Sequence, residues 1–434
     1  MKPSLLPQLL KTLLPSLLIL ASQDFLSVRA AEAPPSAPVA ATLAPLGDSR
    51  TAIISFDTAG LNRTTLSHLN WANALNRQKF PCAGNFGIAG ATSDIIVAKM
   101  LAPALAARAA YMPILMGVND VKTPGFTAEH TMANIAKAAD AALAHGAVPI
   151  LFTDPGADRY NAAQVVFIND VNTRIKAYCA AKPKAVLFDL AALISTQRTP
   201  AIVFQPGWSY DGVHLAPFGA YKTGQAFAAL MESLGAGTPA EPGLAGNLLA
   251  NPIFSGTGGA VGAGNAGTLP DTFAGSRDNT NCAAVFSLCP RGDGAREFVA
   301  TLTTGTANTL GGMRISQPVP ATGINPGDRI QAGVQVDLEA GHVNLTGIRV
   351  EVSLLFSDGT FASAYDFDGT LKGGTISSLP GAPALALTLQ TPPARYPEGK
   401  VLKSITFRLC ARTAGQGGAT LRFRQPWCKK IAPE

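Results

Sequence analysis

Between about residue 40 and residue 236, short wholly apolar runs alternate with longer alanine-rich stretches of helical period. Val39 to Leu46 reads as a strand that ends at Gly47, with Pro45 weakening its last residues. Met112 to Met116, Val148 to Phe152 and Ala185 to Leu190 read as three further buried strands. Between and after them, Asp94 to Ala107, Ala128 to Ala144, Ala162 to Ala180 and Ala216 to Leu234 read as helices. Strand and helix in alternation predict a parallel sheet with helices on both faces, whose ligands sit beyond the carboxyl ends of the strands.

Near Gly235 the texture changes. Gly, Pro and Thr become frequent, alanine-rich helices stop, and short alternating stretches take over. These are Glu297 to Thr303, Arg329 to Leu338, Asn344 to Phe356, Leu385 to Gln390, Lys403 to Cys410 and Thr420 to Arg424. The pattern predicts an all-β sandwich, with the boundary between Gly235 and Gly246. Its opening, Asn247-Leu248-Leu249-Ala250-Asn251-Pro252-Ile253-Phe254, resembles that of galactose-binding-like or carbohydrate-binding jelly rolls. Sugar platforms use exposed aromatics, and here the aromatic candidates are Trp427, Tyr365 and Tyr396, with Trp427 expected in the core beside Cys428. Asp366 and Asp368 are candidate calcium ligands, though carboxylates in loops are usually solvated.

The amino terminus reads as an export signal over residues 1–33. Lys2 and Lys11 precede a short apolar stretch, Leu13 to Ala21, and small residues follow at Ala30, Ala31 and Ala33. That stretch is shorter than the about 20 residues of a spanning helix, so cleavage without a stable membrane span is expected, with an uncleaved anchor as the alternative. A Pro- and Ala-rich linker at 34–41 leads to a first domain at 42–238 and a sandwich at 246–434. A secreted or periplasmic location follows. Six cysteines in an exported chain favour disulfides, with Cys282–Cys289, Cys410–Cys428 and Cys82–Cys179 as pairings that stay within one domain. A zinc site is the weaker alternative, because no Cys-x-x-Cys or His-x-x-x-His spacing occurs. The net charge of +6 is dispersed, without the clustered Lys and Arg that nucleic-acid binding needs.

The candidate chemistry lies in four blocks of the first domain. Gly47-Asp48-Ser49-Arg50 places a serine at a strand-to-helix turn. A serine hydroxyl needs a base, and His214 is the one first-domain histidine that follows an aspartate by three positions, in Asp211-Gly212-Val213-His214. The plainer reading is that Asp211 and His214 cap the following helix. An oxyanion needs donors, and Gly90 and Asn119 offer a backbone N–H and a side-chain amide beside the N–H of Ser49. They lie in Asn85-Phe86-Gly87-Ile88-Ala89-Gly90 and Gly117-Val118-Asn119-Asp120. Each block alone is more often just a turn.

Together and in this order the blocks resemble those of the SGNH (GDSL-type) hydrolases, over about residues 43–236. The resemblance implies a flavodoxin-like three-layer α/β/α domain and ester hydrolysis through an acyl-serine intermediate. It also implies Ser49 as nucleophile, His214 as base, Asp211 as its orienter, an oxyanion hole of Ser49, Gly90 and Asn119, and no cofactor. Arg50 stands where many members carry an apolar residue. The expected function is an exported esterase that removes acyl groups, acetyl above all, from a polysaccharide or a small ester. The alternatives are a polysaccharide O-acyltransferase, a lipase or thioesterase, and a non-catalytic carbohydrate-binding protein.

Overall fold

The computed structural model describes residues 41–431 apart from 58, 236, 238, 240–244, 306–309, 370–375, 377–378 and 380. The expected export signal and all but the last residue of the linker lie outside the described residues. Among those described, no helix is long and apolar enough to cross a membrane.

Five parallel strands form the first sheet: β1 (Leu46–Gly47), β3 (Phe86–Gly87), β4 (Tyr111–Leu115), β5 (Val148–Phe152) and β6 (Val186–Phe188), in the order β3-β1-β4-β5-β6. β4 and β5 are buried throughout, as expected of parallel strands covered on both faces. One face carries α3 (Ser93–Ala106) and α4 (Ala128–Ala144), which pack Ile96, Leu101, Ile135 and Ala139 against Leu46, Ile114 and Leu151. The other carries α2 (His68–Leu75) and α7 (Pro217–Ser233), with Leu69, Phe227 and Met231 against Tyr111, Ile150 and Phe152. This is a three-layer α/β/α domain, and its strand order reverses between β1 and β4. Loops leaving the carboxyl ends of those two strands therefore diverge around an open crevice. The strand expected over Val39 to Leu46 is shorter here, with Leu43 held by isolated bridges to Cys82 and Tyr111 and regular pairing only at Leu46 and Gly47.

The second half is built mostly from antiparallel strands, with short parallel pairs where Ala266–Gly267 meets Cys282–Pro290 and Ala260–Val261 meets Ala274–Arg277. Leu402–Ile431 runs unbroken through the two segments expected as separate strands, Lys403 to Cys410 and Thr420 to Arg424. Its first part pairs with Leu310–Val319 and Val343–Phe356, and its last part with Arg296–Thr304 and Arg329–Leu338. Positive φ angles at Gly415 and Gln425 bend it between those partners.

The halves share structure. A short strand of the first half, β2 (Asn62–Thr64), runs parallel to Phe361–Asp368 at the edge of the second sheet, and Thr65 donates its N–H to the Asp368 carbonyl at 3.0 Å. Trp71 of α2 lies edge-on to Phe367, 4.6 Å between centroids, in the same apolar core as Phe298 and Phe423.

None of the expected disulfides forms, since all six cysteines are free thiols. Cys282 and Cys289 stand at the two ends of one strand. Seven residues at about 3.3 Å each set them roughly 23 Å apart, far beyond the Cα separation of about 4.4–6.8 Å that a disulfide allows. Cys410 and Cys428 likewise lie on one strand, and burial pushes the thiol of Cys82 up to about 11 and those of Cys179 and Cys428 up to about 12. Asp366 and Asp368 are buried rather than solvated: Asp366 accepts from the N–H of Gln390, and Asp368 pairs with Arg349. Trp427 and Tyr396 are buried too, which leaves no aromatic platform at those two positions.

Candidate active site

Ser49 opens α1 (Ser49–Ala52) directly after β1, capped by Asp48. The turn is tight because two neighbouring strand ends close on it. Asp48 donates its N–H to the Leu115 carbonyl at 3.3 Å, and Ile88 donates to the Gly47 carbonyl at 3.0 Å. A Cβ on Gly47 would lie 2.2 Å from the Leu115 oxygen, so only glycine fits there.

His214 is delivered by the loop that precedes α7. Nε2 lies 2.7 Å from Ser49 Oγ, and Nδ1 lies 2.7 Å from Asp211 Oδ2. A carboxylate can only accept, so Nδ1 carries the proton and the Nε2 lone pair faces the hydroxyl. Asp211 Oδ1 accepts the N–H groups of Val213 and His214 at 3.0 and 2.8 Å. Burial favours the neutral acid, but these bonds and the imidazole outweigh it and hold the Asp211 carboxyl below its ordinary value. Its contribution to stability is therefore present above the ordinary carboxylate range and fades only as pH falls through that lower value. The loop itself is locked. Gly212 has φ +79°, and a Cβ there would overlap the Asp158 carboxylate, while Tyr210 stacks on the imidazole at 5.8 Å. Asp211 and His214 do not cap α7, whose N-cap is Ala216.

Gly90 and Asn119 follow β3 and β4, the two strands that flank β1. Gly90 is exposed with φ +74°, and nothing lies within 4 Å of a Cβ built on it. Asn119 Nδ2 donates to the Ala91 carbonyl at 2.9 Å, which ties the two loops together. Asp120 anchors them from below, accepting from the Ser93 N–H and hydroxyl and from Thr131 Oγ1.

Sequence reasoning missed what holds Ser49 from behind. Arg50 is buried between two carboxylates: Nη1 and Nη2 reach Asp154 at 2.5 and 2.7 Å, while Nε and Nη2 reach Asp48 at 3.0 and 2.6 Å. Burial disfavours the charge, yet Asp154 and Asp48 prevail and hold the guanidinium's pKa well above its ordinary value. Asp154 is fixed in turn by a two-way backbone clasp with Asn172 at 2.6 and 2.8 Å. His68, at the start of α2, lines a cavity of about 20 Å³ together with Arg50, Val213 and His214. Burial and the Arg50 charge push it down to about 3, so it stays neutral.

A hydroxyl bonded to imidazole, bonded in turn to carboxylate, at the carboxyl edge of a three-layer α/β/α domain is the arrangement of a serine hydrolase. Residues 46–221 match the model of the GDSL-like lipase/acylhydrolase family, and the chain carries a domain of that family, whose members are hydrolases acting on ester bonds. No curated protein matches the chain. Among solved structures it is similar to a GDSL-like lipase from Bacteroides thetaiotaomicron, at 19% identity and TM-score 0.34, over 45% of this chain and 88% of that one. It is also similar to a G-D-S-L family lipolytic protein from Veillonella parvula, at 16% identity and TM-score 0.33, over 44% and 96%. A third likeness is to an acetyl-xylooligosaccharide esterase from Geobacillus Stearmophilus, at 16% identity and TM-score 0.36, over 44% and 93%.

Proposed function

We propose that this protein is an exported serine esterase that removes short acyl groups, acetyl foremost, from a carbohydrate. The observation that carries the reading is the unbroken chain Ser49 Oγ to His214 to Asp211, with both links at 2.7 Å. Ser49 Oγ attacks the ester carbonyl carbon as His214 Nε2 takes its proton, and the negative charge on the carbonyl oxygen faces the Ser49 and Gly90 N–H groups and the Asn119 amide. The C–O bond to the alcohol then breaks, and His214 returns the proton to the leaving oxygen. Water, deprotonated by the same imidazole, attacks the acyl-serine and releases the acid with Ser49 restored.

Short acyl groups are supported by the small cavity beside His214. It measures about 20 Å³ and is walled by apolar side chains such as Leu66, Leu115 and Leu190 together with His68 and His214. A carbohydrate is supported by an open groove of about 770 Å³ on the second half, whose walls mix Thr301, Thr303, Glu339 and Gln416 with Leu302, Val343 and Ala419. Export rests on the amino-terminal pattern alone.

The test is acid release from a panel of acetylated and longer-chain acylated polysaccharides. Acetate release with little from butyryl or longer esters is expected; equal or greater release of long-chain acids refutes the acetyl assignment. Asn119→Ala should lower kcat about 10²-fold with KM little changed, as expected for one lost oxyanion donor, and steady-state kinetics on an acetate ester measure it.

A further inference from the structure

Both ring nitrogens of His214 are engaged, Nδ1 by Asp211 and Nε2 by Ser49 Oγ, so the faces of the imidazole are what a further neighbour can touch. Tyr210 covers one of them. The two rings lie nearly parallel, with 18° between planes and 5.8 Å between centroids. The backbone dictates this placement. Tyr210 donates its N–H to the His214 carbonyl at 3.2 Å, Ser209 forms an antiparallel bridge with Leu215, and Ala216 donates to the Trp208 carbonyl at 2.9 Å. Residues directly opposite in such a pair project their side chains to the same side, so the phenol ring falls on the imidazole. Ser209 Oγ tightens the turn, donating to the His214 carbonyl at 2.7 Å and accepting from the Gly212 N–H at 2.8 Å. The half-buried Tyr210 hydroxyl makes no hydrogen bond among the described residues, so it is the ring that holds the contact.

Each half-reaction puts a proton on Nε2, so the imidazole passes from neutral to cationic and back. Asp211 faces that cation along the Nδ1 edge. The other charges nearby are already committed. Arg50, which lines the same small cavity, is held by Asp48 and Asp154, Arg159 is turned to the Asp211 carbonyl, and the Asp158 carboxylate packs on Gly212. An aromatic face within about 6 Å attracts a cation through its quadrupole, and attracts a neutral ring less. Such a contact is stronger in the transition state than in the resting enzyme, and so raises kcat rather than affinity. We infer that Tyr210 is a positioning residue acting through His214: its ring fixes the plane of the imidazole and stabilises the imidazolium formed in both half-reactions. The inference rests on the esterase reading of Ser49 and His214.

The experiment is steady-state hydrolysis of p-nitrophenyl acetate by the full chain with position 210 changed to Phe, to Leu, and to monofluoro-, difluoro- and pentafluorophenylalanine. Fluorine draws electron density off the ring face and leaves the ring's shape almost unchanged, so the series varies the electrostatics at nearly constant packing. Tyr210→Phe is expected to stay within about twofold of the wild type, because the quadrupole is kept and the lost hydroxyl has no partner. Successive fluorination should lower kcat stepwise, by about tenfold at pentafluorophenylalanine, with KM little changed. Tyr210→Leu should lose about as much, again about tenfold. Equal kcat from Phe to pentafluorophenylalanine, with melting temperatures unchanged, overturns the proposal and reduces Tyr210 to packing. So does an effect confined to KM, which would make the ring a substrate contact. A wild type without turnover refutes the esterase reading and this inference with it, whereas an active wild type with a flat fluorine series refutes the role of Tyr210 alone.

Discussion

Ser49→Ala is expected to reduce hydrolysis of p-nitrophenyl acetate by at least about 10⁴-fold, to the level left by oxyanion donors and binding alone. The size follows from the geometry. With Oγ removed, His214 Nε2 has no hydroxyl to deprotonate, and no acyl group can be held on the chain. Folding should be unaffected, because Ser49 is only half-buried and the bonds that shape the turn belong to Asp48, Gly47 and Arg50. Release of p-nitrophenol by the purified variant, with an unchanged circular dichroism spectrum, measures both. Activity within tenfold of the wild type would mean that the ester is cleaved elsewhere.

The second large effect is on stability. Arg50→Met keeps most of the side chain's volume but leaves Asp48 and Asp154, both fully buried, without their shared cation. Removing one partner of a buried ionic cluster costs about 3–5 kcal/mol, and a fall of roughly 10 °C in melting temperature is expected at pH 7. The pH dependence separates this from simple loss of packing. Two buried carboxylates left together favour binding a proton in the folded state more than in the unfolded one. The folded variant therefore gains relative stability as pH drops, and its deficit against the wild type should narrow between pH 7 and pH 5. A deficit independent of pH would assign the loss to packing.

Legibility of the fold tracked the length and regularity of each element. Val148–Phe152 and Ala128–Ala144 are readable to the residue, because a five-residue apolar run and a four-turn amphipathic stretch leave little ambiguity. β3 is two residues long and β2 three, too short to show any period, so both are invisible until the sheet is seen. The long strand that ends at Ile431 reads as two because Gly415 to Gly418 interrupts its alternation, although the backbone runs on through the bend. An even cysteine count says nothing about whether two sulfurs can meet, and here one pair is kept apart by the strand that carries both. In the site, Ser49 and the Asp211–His214 pair stand out locally because each sits in a turn with its own glycine. Asp154 leaves no such trace. Its partner Arg50 is 104 positions away, and only folding brings the two together.

The small strand β2 gives the molecule an indivisible character. Because the first half lends a strand to the second half's sheet and buries Trp71 against Phe367, a cut near residue 238 would not release two finished modules. It would leave an unpaired strand edge on one fragment and an exposed tryptophan on the other, the features that drive aggregation. The esterase half of this chain is thus not an exchangeable cassette, and variants that swap the sandwich must carry residues 62–71 and their partners at 365–368 as one unit.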